Sequence, residues 1–224
     1  MSLIKNVKQF PSRQQATGHV FLMCGFGGAI WQTKRLTLRL NRAGYDVTAL
    51  DFSKQVLSSG DPSLLPQLVD EVVRLTEKEA KNVHGKTLLV GISLGSLLAL
   101  NIFRRSKQFD TGILITGGNI VDVAQGLFGD AIWPHTHAQL SDLWKDVNIH
   151  TDPRLLVGKR MLFVLPSRDR LIDTSEVIDE IARQNLAGNE IQLVKRGLFG
   201  HVGTIIEETI FFPGRVIQYI ERII

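Results

Sequence analysis

Short apolar runs alternate with amphipathic stretches along most of this chain, and glycines mark the joints between them. Residues 19–24 form the first run, closed by Gly25-Phe-Gly-Gly28; residues 29–41 follow with Ile30, Leu36 and Leu40 on one helical face, and Gly44 ends them. Residues 46–52 are a second apolar run, after which Asp61 and Pro62 open a helix carrying Leu65, Leu68, Val69, Val72 and Val73 at helical spacing. Further strands are expected at 86–91, 110–115, 161–165 and 190–194, with helices over 94–107 and 173–186 and a last one from about Pro213. Regular alternation of strand and helix predicts an α/β fold, a mostly parallel central sheet with helices on both faces.

The chain's 224 residues suit one domain, read here as spanning 1–224. The rhythm breaks once, between 116 and 159, over a length usually reserved for a functional insertion. That segment contains Phe128, Trp133 and Trp144 and is expected to form a small cap. No apolar stretch reaches the ~20 residues of a membrane span, and residues 1–18 lack the apolar run and cleavage site of a secretory leader. A single cysteine, Cys24, allows no internal disulfide. A soluble, cytoplasmic protein is expected. The net charge of +4 is spread thinly, so no nucleic-acid partner is expected; Arg104-Arg105-x-Lys107 reads as a solvated helix end complementing the helix dipole.

Gly91-Ile-Ser93-Leu-Gly95 lies between an apolar strand and an apolar helix. A serine on such a turn is lifted to the carboxyl edge of the sheet, with the Leu94 N–H and the helix N-terminus facing the same space. A serine hydroxyl needs a base and an orienting acid to become a good nucleophile. Asp169, after the 161–165 strand, and His201, after the 190–194 strand, follow in the order Ser, Asp, His. Asp173 competes for the acid role, but Asp173-x-x-Glu176 has the pattern of a capping box, with Glu176 reaching back to the helix start. The bland alternatives are a surface ion pair of Asp169 with Arg168 or Arg170, and a loop histidine at His201 satisfying a nearby carbonyl. His19 and His84 precede strands, while His135, His137 and His150 lie in the insertion. His135-x-His137 with Asp152 could suggest a metal site but reads as plain polar surface, and no metal or other cofactor is expected.

With these motifs in order, the chain resembles the α/β-hydrolases of the serine esterase and lipase superfamily over nearly its whole length. The resemblance implies Ser93 as nucleophile, His201 as general base, Asp169 as orienting acid, and an oxyanion hole from the N–H groups of Phe26 and Leu94. It also implies a small-molecule ester or thioester substrate with a small-to-medium hydrophobic acyl group, bounded by Phe128, Trp133 and Trp144. Cys24 stands where that superfamily usually has a histidine, and as a buried thiol it reads as a packing residue. An acyltransferase, a C–C hydrolase or a non-catalytic binding protein on the same fold remain alternatives. The oligomeric state is left open.

Overall fold

The computed structural model describes residues 2–12, 15–83, 85–150, 152–196 and 200–224; His84 lies outside them. Among the described residues, seven strands form one sheet: β1 Ile4–Phe10, β2 Gly18–Met23, β3 Tyr45–Phe52, β4 Lys86–Ile92, β5 Thr111–Ile115, β6 Arg160–Pro166 and β7 Glu190–Arg196. Their order is β1-β3-β2-β4-β5-β6-β7, parallel throughout except for β1, which pairs antiparallel with β3. The helices are α1 Lys34–Arg42, α2 Gln55–Ser58, α3 Leu64–Ala80, α4 Leu94–Arg105, α5 Ile120–Ile132, α6 His137–Leu143, α7 Thr174–Leu186, α8 His201–Ile206 and α9 Gly214–Ile223.

The inner strands are apolar on both faces because both are covered, as parallel sheets require. Val20, Leu22, Val47, Leu88, Val90, Ile113, Leu162 and Val164 point to one side, where Leu36 and Leu40 of α1 and Val216 and Ile220 of α9 close over them. Phe21, Met23, Leu50, Leu89, Leu114 and Phe163 point to the other, against α3, α4 and α7. The first strand is an addition to the expected set. Its middle residues Lys5 to Gln9 are exposed, so it carries little of the apolar signal that reveals the others.

The 116–159 segment folds as α5, α6 and a short 3₁₀ turn, Pro153–Leu156, laid against the body. The expectation that its two tryptophans line a pocket does not hold. Trp133 and Trp144 have no exposed surface; they meet edge to face at 5.1 Å. Their indole N–H groups donate to the Leu57 and Pro62 carbonyls, each at 2.9 Å. They therefore anchor the segment to the stretch between β3 and α3, where Gly60, at φ +74°, leaves its Cβ position to the Ile132 carbonyl. Arg104 is a second anchor rather than a solvated helix end, donating to the Asn148 and Ile149 carbonyls at 2.5 and 2.9 Å. Burial lowers its pKa to about 9.

Candidate active site

Four connections at the carboxyl edge of the sheet supply the candidate residues: the glycine turn after β2, the serine turn after β4, the aspartate turn after β6 and the start of α8. Ser93 sits between β4 and α4 at φ 53°, ψ −116°, a backbone region costly for a residue with a Cβ. The two glycines that flank it answer steric demands. A Cβ on Gly91 would lie 2.5 Å from Ser96 Cα and 2.6 Å from the Gly95 carbonyl carbon. One on Gly95 would overlap the Met23 carbonyl oxygen. The turn is tied down by Ser93 N–H to the Ile115 carbonyl, 2.8 Å, and by Ser96 Oγ, 2.9 Å from the carbonyls of Gly91 and Ile115.

Ser93 Oγ lies 2.9 Å from His201 Nε2. His201 Nδ1 in turn lies 2.9 Å from Asp169 Oδ2. The structure thus brings together the three residues singled out from the sequence, and Asp169 faces His201 rather than its arginine neighbours. The other carboxylate oxygen, Oδ1, accepts the N–H groups of Leu171 and Ile172 at 2.8 and 3.3 Å. The Asp169 side chain has no exposed surface. Burial works against its charge, but the hydrogen bond from His201, those from Leu171 and Ile172, and the attraction of the imidazole outweigh burial and lower its pKa.

Asp173 takes the other role. It caps α7, its Oδ1 accepting from Ser175 N–H at 2.9 Å and Glu176 N–H at 3.4 Å. The reciprocal half of the capping box is not formed, because Glu176 is drawn elsewhere: its carboxylate accepts from Asn119 Nδ2 at 3.0 Å and meets His150 Nε2 at 2.7 Å. His137 pairs with Asp122 at 3.0 Å. Among the described residues no group of three or more metal-binding side chains converges.

The glycine turn packs directly on the serine: a Cβ on Gly25 would stand 3.2 Å from Ser93 Cβ. Its bracing draws in Gln32 and Asp51, which no motif in the sequence marks. Gly28 N–H reaches the Gly25 carbonyl at 3.0 Å, Ala29 N–H the Gln32 side chain at 2.9 Å, and Ile30 N–H the buried Asp51 carboxylate at 3.4 Å. Cys24 is buried; desolvation, helped by the nearby Asp51 charge, raises its thiol pKa to about 12, so it stays protonated and packs as an apolar group. Phe26 N–H has no acceptor among the described residues, and Leu94 N–H, in the first turn of α4, has none within its helix. Phe26 meets Phe128 of α5 edge to face at 5.5 Å. Phe128 is half-buried at this contact, the one aromatic of the three expected pocket residues with exposed surface. A groove of about 660 Å³ opens beside the turn, with Gly27, Gly28, Lys5 and Lys54 in its wall.

A hydroxyl, an imidazole and a carboxylate in one hydrogen-bonded line can move a proton off the hydroxyl while the carboxylate holds the imidazole. The family model of serine aminopeptidases (S33) matches residues 14–193, which include Ser93 and Asp169 and stop short of His201. A search of curated proteins returns no match. Among solved structures, a Pyrococcus furiosus esterase is similar at 21% identity, TM-score 0.62, over 92% of this chain and 83% of that one. A lipase in its open form is similar at 13% identity, TM-score 0.72, over 97% and 94%. Est1E from Butyrivibrio proteoclasticus with ferulic acid bound is similar at 13% identity, TM-score 0.66, over 96% of each. With the family match covering most of the chain and the fold shared with these structures, the chain belongs to the S33 serine aminopeptidase family of α/β-hydrolases.

Proposed function

We propose that the protein hydrolyses a carboxylic ester or thioester of a small-to-medium hydrophobic acyl group through an acyl-enzyme on Ser93. The observation that carries the reading is the unbroken line from Ser93 Oγ through His201 to Asp169, 2.9 Å at each step. In this scheme His201 Nε2 takes the Ser93 proton as Oγ attacks the acyl carbonyl, and Asp169 keeps the proton on Nδ1 and steadies the imidazolium. The carbonyl oxygen, now an oxyanion, accepts from the N–H groups of Phe26 and Leu94. Collapse expels the alcohol or thiol, which takes the proton back from His201, and water repeats the sequence to free the acid. Phe128, on the proposed cap formed by 116–159, gives the acyl group an apolar wall.

The family's description favours a second reading, in which the same residues release an N-terminal residue from a peptide. A fluorophosphonate that labels wild-type protein but not Ser93→Ala tests the nucleophile. A panel of p-nitrophenyl esters of graded length, thioesters and aminoacyl p-nitroanilides then separates the substrate classes, and acceptor alcohols in the assay separate hydrolysis from acyl transfer. Undiminished ester turnover by Ser93→Ala rejects the scheme.

A further inference from the structure

One face of the molecule combines unpaired cations with apolar side chains exposed to water. From the 3₁₀ turn Ile30–Thr33 through α1, the outward positions include Trp31, Lys34, Arg35, Leu38, Arg39 and Arg42. They recur every three or four residues and so share one side of the helix. No acidic residue occurs from 30 to 42. Among the described residues none of these four cations enters an ion pair. Trp31 is 74% exposed.

The face continues onto the π-helical turn Glu207–Phe211, which packs on α1 and on the Ile30–Thr33 turn. Arg35 donates to the Ile210 carbonyl at 3.3 Å, and Phe211 and Phe212 beside it are 65% and 50% exposed. The Arg215 guanidinium lies 4.2 Å from the Phe212 ring centre. The carboxylates of this turn do not offset the cations of α1: Glu207 is paired with Arg215, and Glu208 is buried against Arg196.

We propose that this face attaches the protein peripherally to the surface of an anionic lipid bilayer. Headgroup phosphates complement the α1 cations, while Trp31, Leu38, Phe211 and Phe212 enter the interfacial layer, where amphipathic rings are stable. Charge decides against a second copy of the chain, since a two-fold contact would set these cations against each other. Aliphatic neighbours decide against nucleic acid: Leu38, and on α8 Val202 and Ile206, 60% and 36% exposed, have no ring to stack on a base but suit acyl chains. Trp31 lies three residues past Gly28, and Val202 follows His201, so the face ends at the rim of the candidate active site.

The test uses the full chain with vesicles of phosphatidylcholine alone or mixed with phosphatidylglycerol, read by co-sedimentation and tryptophan emission. Because Trp133 and Trp144 are already buried, a blue shift reports Trp31. The expected result is a shift and sedimentation with the anionic vesicles only. Arg35→Gln/Arg39→Gln should weaken partitioning about 30-fold, the ~1 kcal/mol per surface cation counted twice. Trp31→Ala should weaken it too, with unchanged circular dichroism in both variants. Equal partitioning to both vesicles, or variants that partition like wild type, overturns the proposal. So does salt-sensitive oligonucleotide binding without vesicle binding, or a dimer in sedimentation velocity that Trp31→Ala abolishes while vesicles leave the protein in solution.

Discussion

Asp169→Asn replaces one atom, and the hydrogen bonds around Asp169 dictate how the variant behaves. Oδ1 accepts two backbone N–H groups, from Leu171 and Ile172, which cannot turn away. An asparagine must therefore keep its single oxygen on them and present its NH₂ to His201 Nδ1, 2.9 Å from the present Oδ2. Two donors cannot face each other, so the imidazole shifts its proton to Nε2, the nitrogen 2.9 Å from Ser93 Oγ. In the proposed scheme the base then has no lone pair where the serine proton must go. The loss in kcat should be on the order of 10³ to 10⁴, or about 4–5.5 kcal/mol of transition-state stabilisation. Asp173→Asn is the matched control, because asparagine caps a helix about as well as aspartate and, among the described residues, the hydrogen bonds of Asp173 go to the start of α7 alone. The assay is kcat on a p-nitrophenyl ester for both variants, with melting temperatures measured beside it to show that each is folded. An Asp169→Asn enzyme of wild-type kcat, or an inactive but folded Asp173→Asn enzyme, would refute the assignment.

Gly95→Ala should lower stability by about 1–3 kcal/mol or more and activity with it, since the three nearest atoms the new Cβ meets are backbone of residues 23 and 24; urea titration beside kcat checks both, and wild-type values for both contradict the packing argument. Trp144→Ala should lose about 3–5 kcal/mol in the same titration, whereas Phe128→Ala should leave the urea midpoint nearly in place and change the acyl-length profile; the reverse pattern would exchange their roles. His150 gives a pH signature. Burial pulls its pKa down, but hydrogen bonds and charge attraction from Glu176 and Glu180 win and raise it above 6.5. The ion pairs should stabilise the fold fully below the unfolded value of 6.5 and fade as pH rises through the raised folded value. Melting temperatures of wild type and His150→Gln should thus differ most near pH 6 and converge at higher pH; a constant gap rejects the linkage.

The inner strands were legible because burial on both faces turns them into unbroken apolar runs, and β1 was not because an exposed edge strand needs few apolar residues. Ser93, Asp169 and His201 could each be read from a strand end and its turn, while the Ser93–His201 approach across 108 positions belongs to the fold. Misreadings arose where a side chain's partner is distant in sequence. Nothing near Trp133 or Trp144 announces the Leu57 and Pro62 carbonyls that hold them. Likewise, Glu176 has the spacing to complete a capping box, yet Asn119 and His150 claim it. Arg104 looked like one of a solvated cluster until the Asn148 and Ile149 carbonyls lay beside it. The bracing of the glycine turn by Gln32 and Asp51 has no motif of its own.

The lock between the two indoles and the stretch from Leu57 to Pro62 bears on how such a protein can be re-engineered. Two stretches far apart in sequence behave as one part, because the indole N–H groups of the first have their acceptors on the second. A chimera that imports a foreign 116–159 alone would take the indole donors away from both carbonyls and leave a void two indoles wide. Gly60, whose Cβ position the Ile132 carbonyl already occupies, would have to match the incoming backbone as well. A transplant that carries residues 55–62 along brings its own fastening. The unit of exchange for replacing the 116–159 segment is thus the pair of stretches.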